Sequence, residues 1–309
     1  MLHNLNHKLL FTVITLVFYL STFLVYPKTN STDEKLKIIH DKTFSLLPSS
    51  NLILDASSGD VVISSWDKNE VNIKILGNDQ AKEKVDIVFK ESKYGIKVQA
   101  KYGWALSNIF KKILLKFEVK LPHDFNVDAS TSGGEMKLQD IRGKINAKTS
   151  GGQIDLAKLS GRIKASTSGG DILFNELTGN IEIETSGGNI KGRQFSGNLK
   201  VSTSGGDISL SGMDSKILGS TSGGDIVLDY KGKNQGIELT TLGGDIIVTL
   251  PADFDASADL SALGGNVKCD FKGNNAVKIS SSKFEADINN GGNPLKLKTS
   301  GGEIVVKKK

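Results

Sequence analysis

The residues of this sequence that could do chemistry are carboxylates and amides that recur at one position of a repeat. A polar residue follows each Gly-Gly pair, and these residues are Glu135, Gln153, Asp171, Asn189, Asp207, Asp225, Asp245 and Asn266. Stacked repeats would align them in a column of oxygen atoms, which is one way to bind calcium. Calcium-binding nonapeptide repeats need Gly-Gly-x-Gly-x-Asp, and the later glycine and the interior aspartate are missing here. We therefore expect turn caps, in which these side chains accept hydrogen bonds from backbone N–H groups.

Few other groups could support catalysis or metal binding. The chain has one cysteine, Cys269, and four histidines, of which His40 and His123 lie beyond the first seven residues. This count excludes a disulfide framework and a cysteine-rich metal site, and it disfavours a histidine-based site. No Gly-Lys-Ser or Gly-Lys-Thr follows a glycine pair, so a phosphate-binding loop is excluded as well. We expect no catalytic residue, cofactor-binding residue, metal ligand or cofactor, and we expect Cys269 to be a buried core residue.

The composition indicates a folded, repetitive protein without a strongly basic surface. The 309 residues include 34 glycines and only 5 prolines, which excludes collagen and proline-rich disorder. Aromatic residues make up 6% of the chain, so large core side chains are scarce. The net charge is +5, and we expect no nucleic-acid partner.

The amino terminus has the form of an export signal. Residues 9–25 carry no charge, Lys8 precedes them, and a polar run follows Pro27. We expect residues 1–27 to be an uncleaved signal anchor; a cleaved signal peptide and a buried core helix are the alternatives. Residues 28–43 would then be a linker. The protein would be membrane-anchored through this hydrophobic helix and extracytoplasmic, in the periplasm or at the cell surface.

An internal repeat is the strongest signal in the chain. The tetrad Thr-Ser-Gly-Gly recurs at a constant spacing, at Thr131, Thr149, Thr167, Thr185, Thr203 and Thr221. The spacing then loosens before a last copy at Thr299, and an earlier relative begins at Ser57. Glycine permits tight corners and close approach of neighbouring chains. We therefore assign structural corners to Gly133, Gly134, Gly151, Gly152, Gly169, Gly170, Gly187, Gly188, Gly205, Gly206, Gly223 and Gly224.

Apolar residues alternate with polar ones on both sides of each glycine pair, which is the pattern of two short strands per unit. A second corner would fall at a Leu-x-Gly such as Leu159-Ser160-Gly161. The fold predicted is all-β: a β-solenoid (β-helix or β-roll) with coils of about 18 residues. An open meander or a barrel of hairpins is the alternative. The alternation also places each tetrad threonine inward, where its hydroxyl could form a ladder with its copies.

Two regions differ in regularity. Residues 44–124 predict an irregular amino-terminal β region and cap, with a short helical turn at 79–85, and residues 125–309 predict the regular solenoid. Trp66, Tyr102 and Trp104 in the first region could cover the solenoid end or form an aromatic patch for a glycan. At the other end, residues 303–309 predict a last edge strand, protected from pairing by lysines.

A second motif supports a family resemblance. Leu47-Pro48, Leu121-Pro122 and Leu250-Pro251 are each followed by a strand and a glycine corner, and Thr-Ser-Gly-Gly-Asp-Ile recurs between them. These features resemble a bacterial β-strand-repeat family of unknown function, usually labelled "putative adhesin". The resemblance covers about residues 44–309. It implies an exported β-solenoid behind a hydrophobic anchor, and it implies no catalytic motif.

Three functions remain open at this point. The first is a non-catalytic, adhesin-like binding module of the cell envelope, with an envelope protein or a glycan as its ligand. The second is a structural or stress-response scaffold of the envelope. The third is a polysaccharide-active enzyme, disfavoured because no unit has an unusual acid cluster beside a basic group.

Overall fold

The computed structural model describes residues 36–45, 51–102 and 112–309. Leu36–Lys309 form one compact unit. The predicted signal segment, Leu47-Pro48 and Trp104 lie outside the described residues. The elements are β1 Lys37–Ser45, β2 Asn51–Ala56, β3 Asp60–Trp66, β4 Glu70–Gly77, α1 Asp79–Lys84, β5 Val85–Ser92, β6 Gly95–Tyr102, β7 Leu115–Pro122, β8 Asn126–Thr131, β9 Met136–Thr149, β10 Ile154–Thr167, β11 Ile172–Thr185, β12 Ile190–Ser202, β13 Ile208–Met213, β14 Ser215–Ser220, β15 Ile226–Lys231, β16 Ile237–Thr241, β17 Ile246–Leu250, β18 Ala256–Ala262, β19 Val267–Cys269, β20 Gly273–Ile279, β21 Lys283–Ile288, β22 Pro294–Thr299 and β23 Ile304–Lys308.

The coils stack in parallel with a shift of one repeat, which confirms the β-solenoid. Ile154 lies opposite Ile172, and Thr167 lies opposite Thr185, each one repeat further along the chain. Each coil contributes one strand segment after its glycine pair and a second segment that runs into the next threonine. We call the two stacks of segments the first face and the second face, in that order.

Alternating burial fixes which side chains fill the core. Between the start of β11 and the second corner, Ile172 and Phe174 are buried, and the residues that follow each of them are half-buried. Equal spacing places identical residue types on top of one another, as in the column Ile154, Ile172, Ile190, Ile208, Ile226, Ile246 and Ile304, all fully buried. Burying one such side chain stabilises the fold by roughly 1.5–3 kcal/mol. Because equivalent residues stack in this way, the core of the regular coils consists of columns that are each one side chain wide.

The second corner starts one residue earlier than the Leu-x-Gly motif predicts. In the coils of β9 to β12 a single non-glycine residue has left-handed backbone, with φ of 61° at Asp140, 54° at Lys158, 57° at Glu176 and 51° at Gln194. The following leucine, isoleucine or phenylalanine points into the core. Strand pairing continues through this bend, so the two predicted segments of a coil form one bent strand of 13 or 14 residues.

The last coil in the sequence is not the last coil in the stack. Ile304 of β23 pairs with Ile246 of β17 on one side and with Val267 of β19 on the other. β22 is likewise held between β16 and β18. The prediction of an exposed edge strand at 303–309 is therefore wrong. The amino-terminal end has the same arrangement, because β2 is held between β6 and β8 and β3 between β7 and β9.

Antiparallel strands cover both ends of the stack. At the amino-terminal end β1 pairs with β4, β4 with β7, and β5 with β6; at the other end β20 pairs with β21. β1 begins at Lys37, within the predicted linker. The predicted helical turn is confirmed as α1, whose first turn is capped by Asn78 through a 3.0 Å hydrogen bond from the Ala81 N–H. Among the described residues, no helix is long and apolar enough to span a membrane.

Candidate binding groove

The tetrad threonines tie each corner to the corner before it. They are buried, as predicted, whereas the serines beside them are exposed. Thr185 donates its hydroxyl hydrogen to the carbonyl oxygen of Gly170 in the preceding coil, at 2.9 Å, and accepts a hydrogen bond from the N–H of Gly188 at 3.3 Å. The hydroxyls therefore bond to backbone groups, and the predicted ladder between threonine hydroxyls is wrong.

The polar column after the glycine pairs is occupied by backbone contacts. The Asp171 carboxylate accepts a hydrogen bond from the Asn189 N–H in the next coil at 2.7 Å. The same contact repeats from Asp207 N–H to Asn189, Asp225 N–H to Asp207, Asp245 N–H to Asp225 and Glu303 N–H to Asp245, at 2.7–2.9 Å. Asp171, Asn189, Asp207, Asp225 and Asp245 are therefore the expected caps, whereas the Gln153 amide donates to Asp155 and the Glu135 carboxylate lies 3.6 Å from Lys137. Within residues 36–45, 51–102 and 112–309, no three acidic, histidine or cysteine side chains meet closely enough to hold a metal ion.

The two glycines of a corner have different surroundings. A Cβ on Gly170 would overlap the carbonyl oxygen of Gly152 in the preceding coil, whereas a Cβ on Gly169 would have 3.9 Å to its nearest neighbour, the Ser150 oxygen. The second glycine is thus required for close approach of the backbones. The assigned corner glycines all lie at such bends: Gly133, Gly134, Gly151, Gly152, Gly169, Gly170, Gly187, Gly188, Gly205, Gly206, Gly223 and Gly224.

A groove runs along the outer side of the second face. It has a volume of about 1320 Å³ and is lined by outward side chains of β2, β8, β9, β10, β11, β12 and β14. These seven strands are successive neighbours in the stack. At about 4.8 Å per strand, the groove is roughly 29 Å long. We call it the second-face groove.

Ion pairs link neighbouring strands in the middle of the second-face groove. Glu182 lies 3.3 Å from the Lys164 ammonium on one side and 3.2 Å from the Lys200 ammonium on the other. Glu184 contacts the same two lysines at 3.9 and 3.7 Å. Hydrogen bonds from Lys200 and Lys164 lower the pKa of Glu182, and those with Glu182 raise the pKa of Lys200. These contacts therefore favour the charged forms of Glu182 and Lys200.

Positive charge is left over along the second-face groove. Its lining contains six cationic and three anionic side chains. The carboxylate of Asp128 accepts a 2.7 Å hydrogen bond from the Asn146 amide. Four exposed cations form no ion pair within the described part of the chain, and we call them the groove cations: Lys144, Lys148, Arg162 and Lys216.

In one column of the groove, pairs of asparagines alternate with lysine and arginine residues. Along the stack the residues at this position are Asn51, Asn126, Lys144, Arg162, Asn180, Asn198 and Lys216. Asn126 donates to Asn51 at 2.9 Å, and Asn198 donates to Asn180 at 2.9 Å, so each amide pair is held in place. We call this set the amide–cation column. Its charges and amides present donors and acceptors outward from a fixed backbone.

Sequence reasoning did not find this site. Alternation identifies the outward residues of both faces, but it does not show which face is concave. The signal available was the run of cations and asparagines at the position before the buried residue, as in Lys144, Arg162, Asn180 and Asn198.

The other candidate residues lie outside the groove. His123 sits between two carboxylates, with Nε2 3.2 Å from Asp67 and Nδ1 3.2 Å from Asp140. Trp66 donates its indole N–H to the Glu70 carbonyl at 2.9 Å within a tight turn. Cys269 is half-buried near the carboxyl-terminal end, not fully buried as predicted, and this partial burial raises the pKa of its thiol.

Comparison with known proteins gives a family and several distant structures. No curated protein is significantly similar to this sequence. The chain is 13% identical to a solved "putative cell adhesion protein" from Clostridium sporogenes, covering 89% of this chain and 100% of that one, with a TM-score of 0.26. It is 14% identical to a "putative adhesin" from Parabacteroides distasonis, covering 89% and 98%, with a TM-score of 0.44. A "putative lipid binding protein" from the same species is 12% identical over 87% and 96%, with a TM-score of 0.32.

The family assignment rests on nearly the whole described solenoid. The Toastrack DUF4097 family model matches residues 49–307. This match begins just before β2 and ends within β23, so it includes the first and last coils of the described sequence. The protein therefore belongs to the Toastrack DUF4097 family, and the resemblance drawn from its repeats is confirmed.

Proposed function

We propose that this protein is a non-catalytic binding module of the bacterial cell envelope, and that the second-face groove is its binding surface. The observation that carries the proposal is the set of groove cations, exposed along a concave face of a rigid stack. Charges left without partners on a fixed scaffold favour a ligand of opposite charge.

The rigidity of the face supports a binding role. The strands that line the groove from β8 to β12 are hydrogen-bonded to neighbours on both sides. Buried columns beneath them hold the outward side chains at a fixed spacing. A preorganised surface loses little conformational freedom when a ligand binds, and this raises affinity without additional contacts.

The acid groups of the groove suit binding better than catalysis. A general acid for glycoside cleavage has a raised pKa, which keeps it protonated near neutral pH. Glu182 has the opposite shift, because Lys200 and Lys164 hold its carboxylate in the charged form. We therefore assign Glu182 and Glu184 to fixing the positions of the two lysines.

Export to the envelope is the second part of the proposal. Its support is the uncharged segment at residues 9–25, preceded by Lys8 and followed by a polar run. We propose that this segment anchors the chain in the membrane and that the solenoid lies on the extracytoplasmic side.

Binding to isolated envelope fragments tests the groove directly. The full-length chain in detergent is compared with the double variant Lys144→Glu, Arg162→Glu. We expect retention of this variant on the fragments to fall at least about tenfold, since each reversal replaces an attraction by a repulsion. The matched control is Lys191→Glu, Arg193→Glu, which makes the same charge change at exposed positions of the first face. Equal loss in both variants, or no loss in either, would refute the groove as the binding surface.

A further inference from the structure

We propose that the ligand of the second-face groove is a linear anionic glycopolymer, whose acidic groups are separated by neutral sugar units. This inference rests on the proposed function, since it names the ligand class of the same groove. It follows from the charge, the spacing and the hydrogen-bonding groups of the lining.

The positive charge of the groove cations favours an anionic ligand. Lys144 and Arg162 are register neighbours on adjacent strands, about 4.8 Å apart along the stack. An arginine fork beside a lysine matches the geometry of a phosphate or carboxylate group. Lys148 lies four residues further along β9, roughly 13 Å away, and extends the positive surface across the groove.

The spacing of the cations along the amide–cation column favours a polymer whose charges are separated by neutral units. In the amide–cation column two amides precede the Lys144–Arg162 pair, and two more separate Arg162 from Lys216. Three strand steps place Lys216 roughly 14 Å from Arg162. A ligand that follows this column meets positive charge at both ends of this interval and amides between them.

The amides suit sugar hydroxyl groups. Asn180 and Asn198 each offer a carbonyl oxygen and an NH₂ group, and only part of this capacity is used by their mutual 2.9 Å hydrogen bond. A sugar hydroxyl group can donate a hydrogen bond to the amide oxygen and accept one from the amide NH₂ group. Neutral sugar units between the anionic groups would therefore be recognised at these positions.

The position of the groove on the sheet argues against a peptide. A peptide that adds as a strand needs a free sheet edge with unpaired backbone groups. The groove lies across the outer surface of strands that are paired on both sides, so recognition there depends on side chains.

Three forms of one polymer test the ligand class. Binding of the full-length chain in detergent is measured by calorimetry with phosphorylated dextran, carboxymethyl dextran and unmodified dextran. We expect the two anionic forms to bind and the neutral form not to bind. Tighter binding of one anionic form would show which acidic group the groove prefers, and equal binding of all three would overturn the proposal.

Matched variants separate the groove from general attraction. The change Lys144→Gln, Arg162→Gln should weaken binding of anionic dextran about tenfold, and Lys191→Gln, Arg193→Gln on the first face should weaken it less than about twofold. Equal weakening would mean attraction to net charge alone, and would overturn the proposal. Tighter groove-dependent binding to vesicles containing phosphatidylglycerol would also overturn it, in favour of a membrane surface.

The two proposals fail in different ways. If envelope retention depends on Lys144 and Arg162 but no anionic dextran binds, the ligand class is wrong and the binding role stands. If retention on envelope fragments is also independent of these residues, both proposals are wrong.

Discussion

The hydroxyl of Thr185 lies 2.9 Å from the carbonyl oxygen of Gly170, one coil earlier in the stack, and donates its hydrogen to it. The same hydroxyl accepts a hydrogen bond from the N–H of Gly188 in its own corner. Each tetrad therefore satisfies two backbone groups at a bend where strand pairing is interrupted. This contact explains why a residue with a hydroxyl group recurs at this position.

Removing one such hydroxyl should cost stability. Thr185→Val keeps the shape of the side chain but leaves the Gly170 carbonyl and the Gly188 N–H without partners. We expect the free energy of unfolding to fall by about 1–3 kcal/mol, measured by urea denaturation. Ser186→Ala, at the exposed neighbour, should change it by less than about 0.5 kcal/mol. A larger loss from Ser186→Ala would mean that the inner and outer positions have been assigned in reverse.

The two glycines of one corner should respond differently to alanine. Gly170→Ala places a Cβ against the carbonyl oxygen of Gly152, and the backbones of two coils must separate to admit it. We expect a loss of roughly 2 kcal/mol or more in unfolding free energy. Gly169→Ala brings its Cβ no closer than 3.9 Å to a neighbouring atom and should be close to neutral. The account of close backbone approach fails if the two variants are equally stable.

Phe174 and Gly192 form a complementary pair in one core column. They lie opposite each other in register, and a Cβ on Gly192 would overlap the Phe174 ring. Gly192→Leu should destabilise the protein by about 1–3 kcal/mol or more, because the column is already full. Adding Phe174→Leu should restore at least about 1 kcal/mol of that loss, because the column then repeats leucine between Leu156 and Leu210. Thermal unfolding of both single variants and the double variant measures this coupling, and simple additivity would contradict the pairing.

The sequence predicts the regular coils well because the spacing between their tetrads is constant. Each column residue then necessarily lies opposite its copy in the next coil, as Ile154 does with Ile172, and the alternation separates core from surface. The burial of Thr185 and the exposure of Ser186 follow from that pattern alone.

The ends of the stack could not be predicted in the same way. Pairing of Ile304 with Ile246 joins segments that lie several repeats apart in the sequence, and no local pattern encodes it. One clue was present: the tetrad at Thr299 returns to the full consensus, whereas the corner at Ala262 does not. Both corners keep the second glycine, and the difference lies in the threonine: Thr299 donates to the Gly244 carbonyl at 2.8 Å, whereas Ala262 has no hydroxyl. A terminal coil is free to depart from the consensus in this way.

The charge state of the groove network gives a pH prediction. The Lys200 and Lys164 ammonium groups lower the pKa of Glu182 in the folded protein. A carboxylate with a depressed folded pKa stabilises the fold above its unfolded pKa, and this stabilisation is lost as pH falls through the folded pKa. NMR titration should find Glu182 below the usual glutamate value of 4.5, and Lys200→Met should raise it.

The matching effect on stability should be small, because Glu182 is about one-third exposed. Glu182→Gln should reduce the free energy of unfolding at pH 7 by about 0.5 kcal/mol or less. The difference between the variant and the natural chain should shrink as the solution is made acidic. A difference that grows in acid would contradict the ion-pair network.

Cysteine accessibility in living cells tests the central claim most directly, because it reports export and occupancy of the groove together. In a Cys269→Ser background, Asn198→Cys places a thiol in the groove and Lys191→Cys places one on the first face of the same strand, both at exposed positions. With a membrane-impermeant maleimide, the purified protein should label equally at both sites. In cells whose inner membrane is intact, we predict that position 191 labels and that position 198 is protected. Equal labelling of both positions in cells would contradict an occupied groove, and no labelling at either until the inner membrane is broken would contradict export.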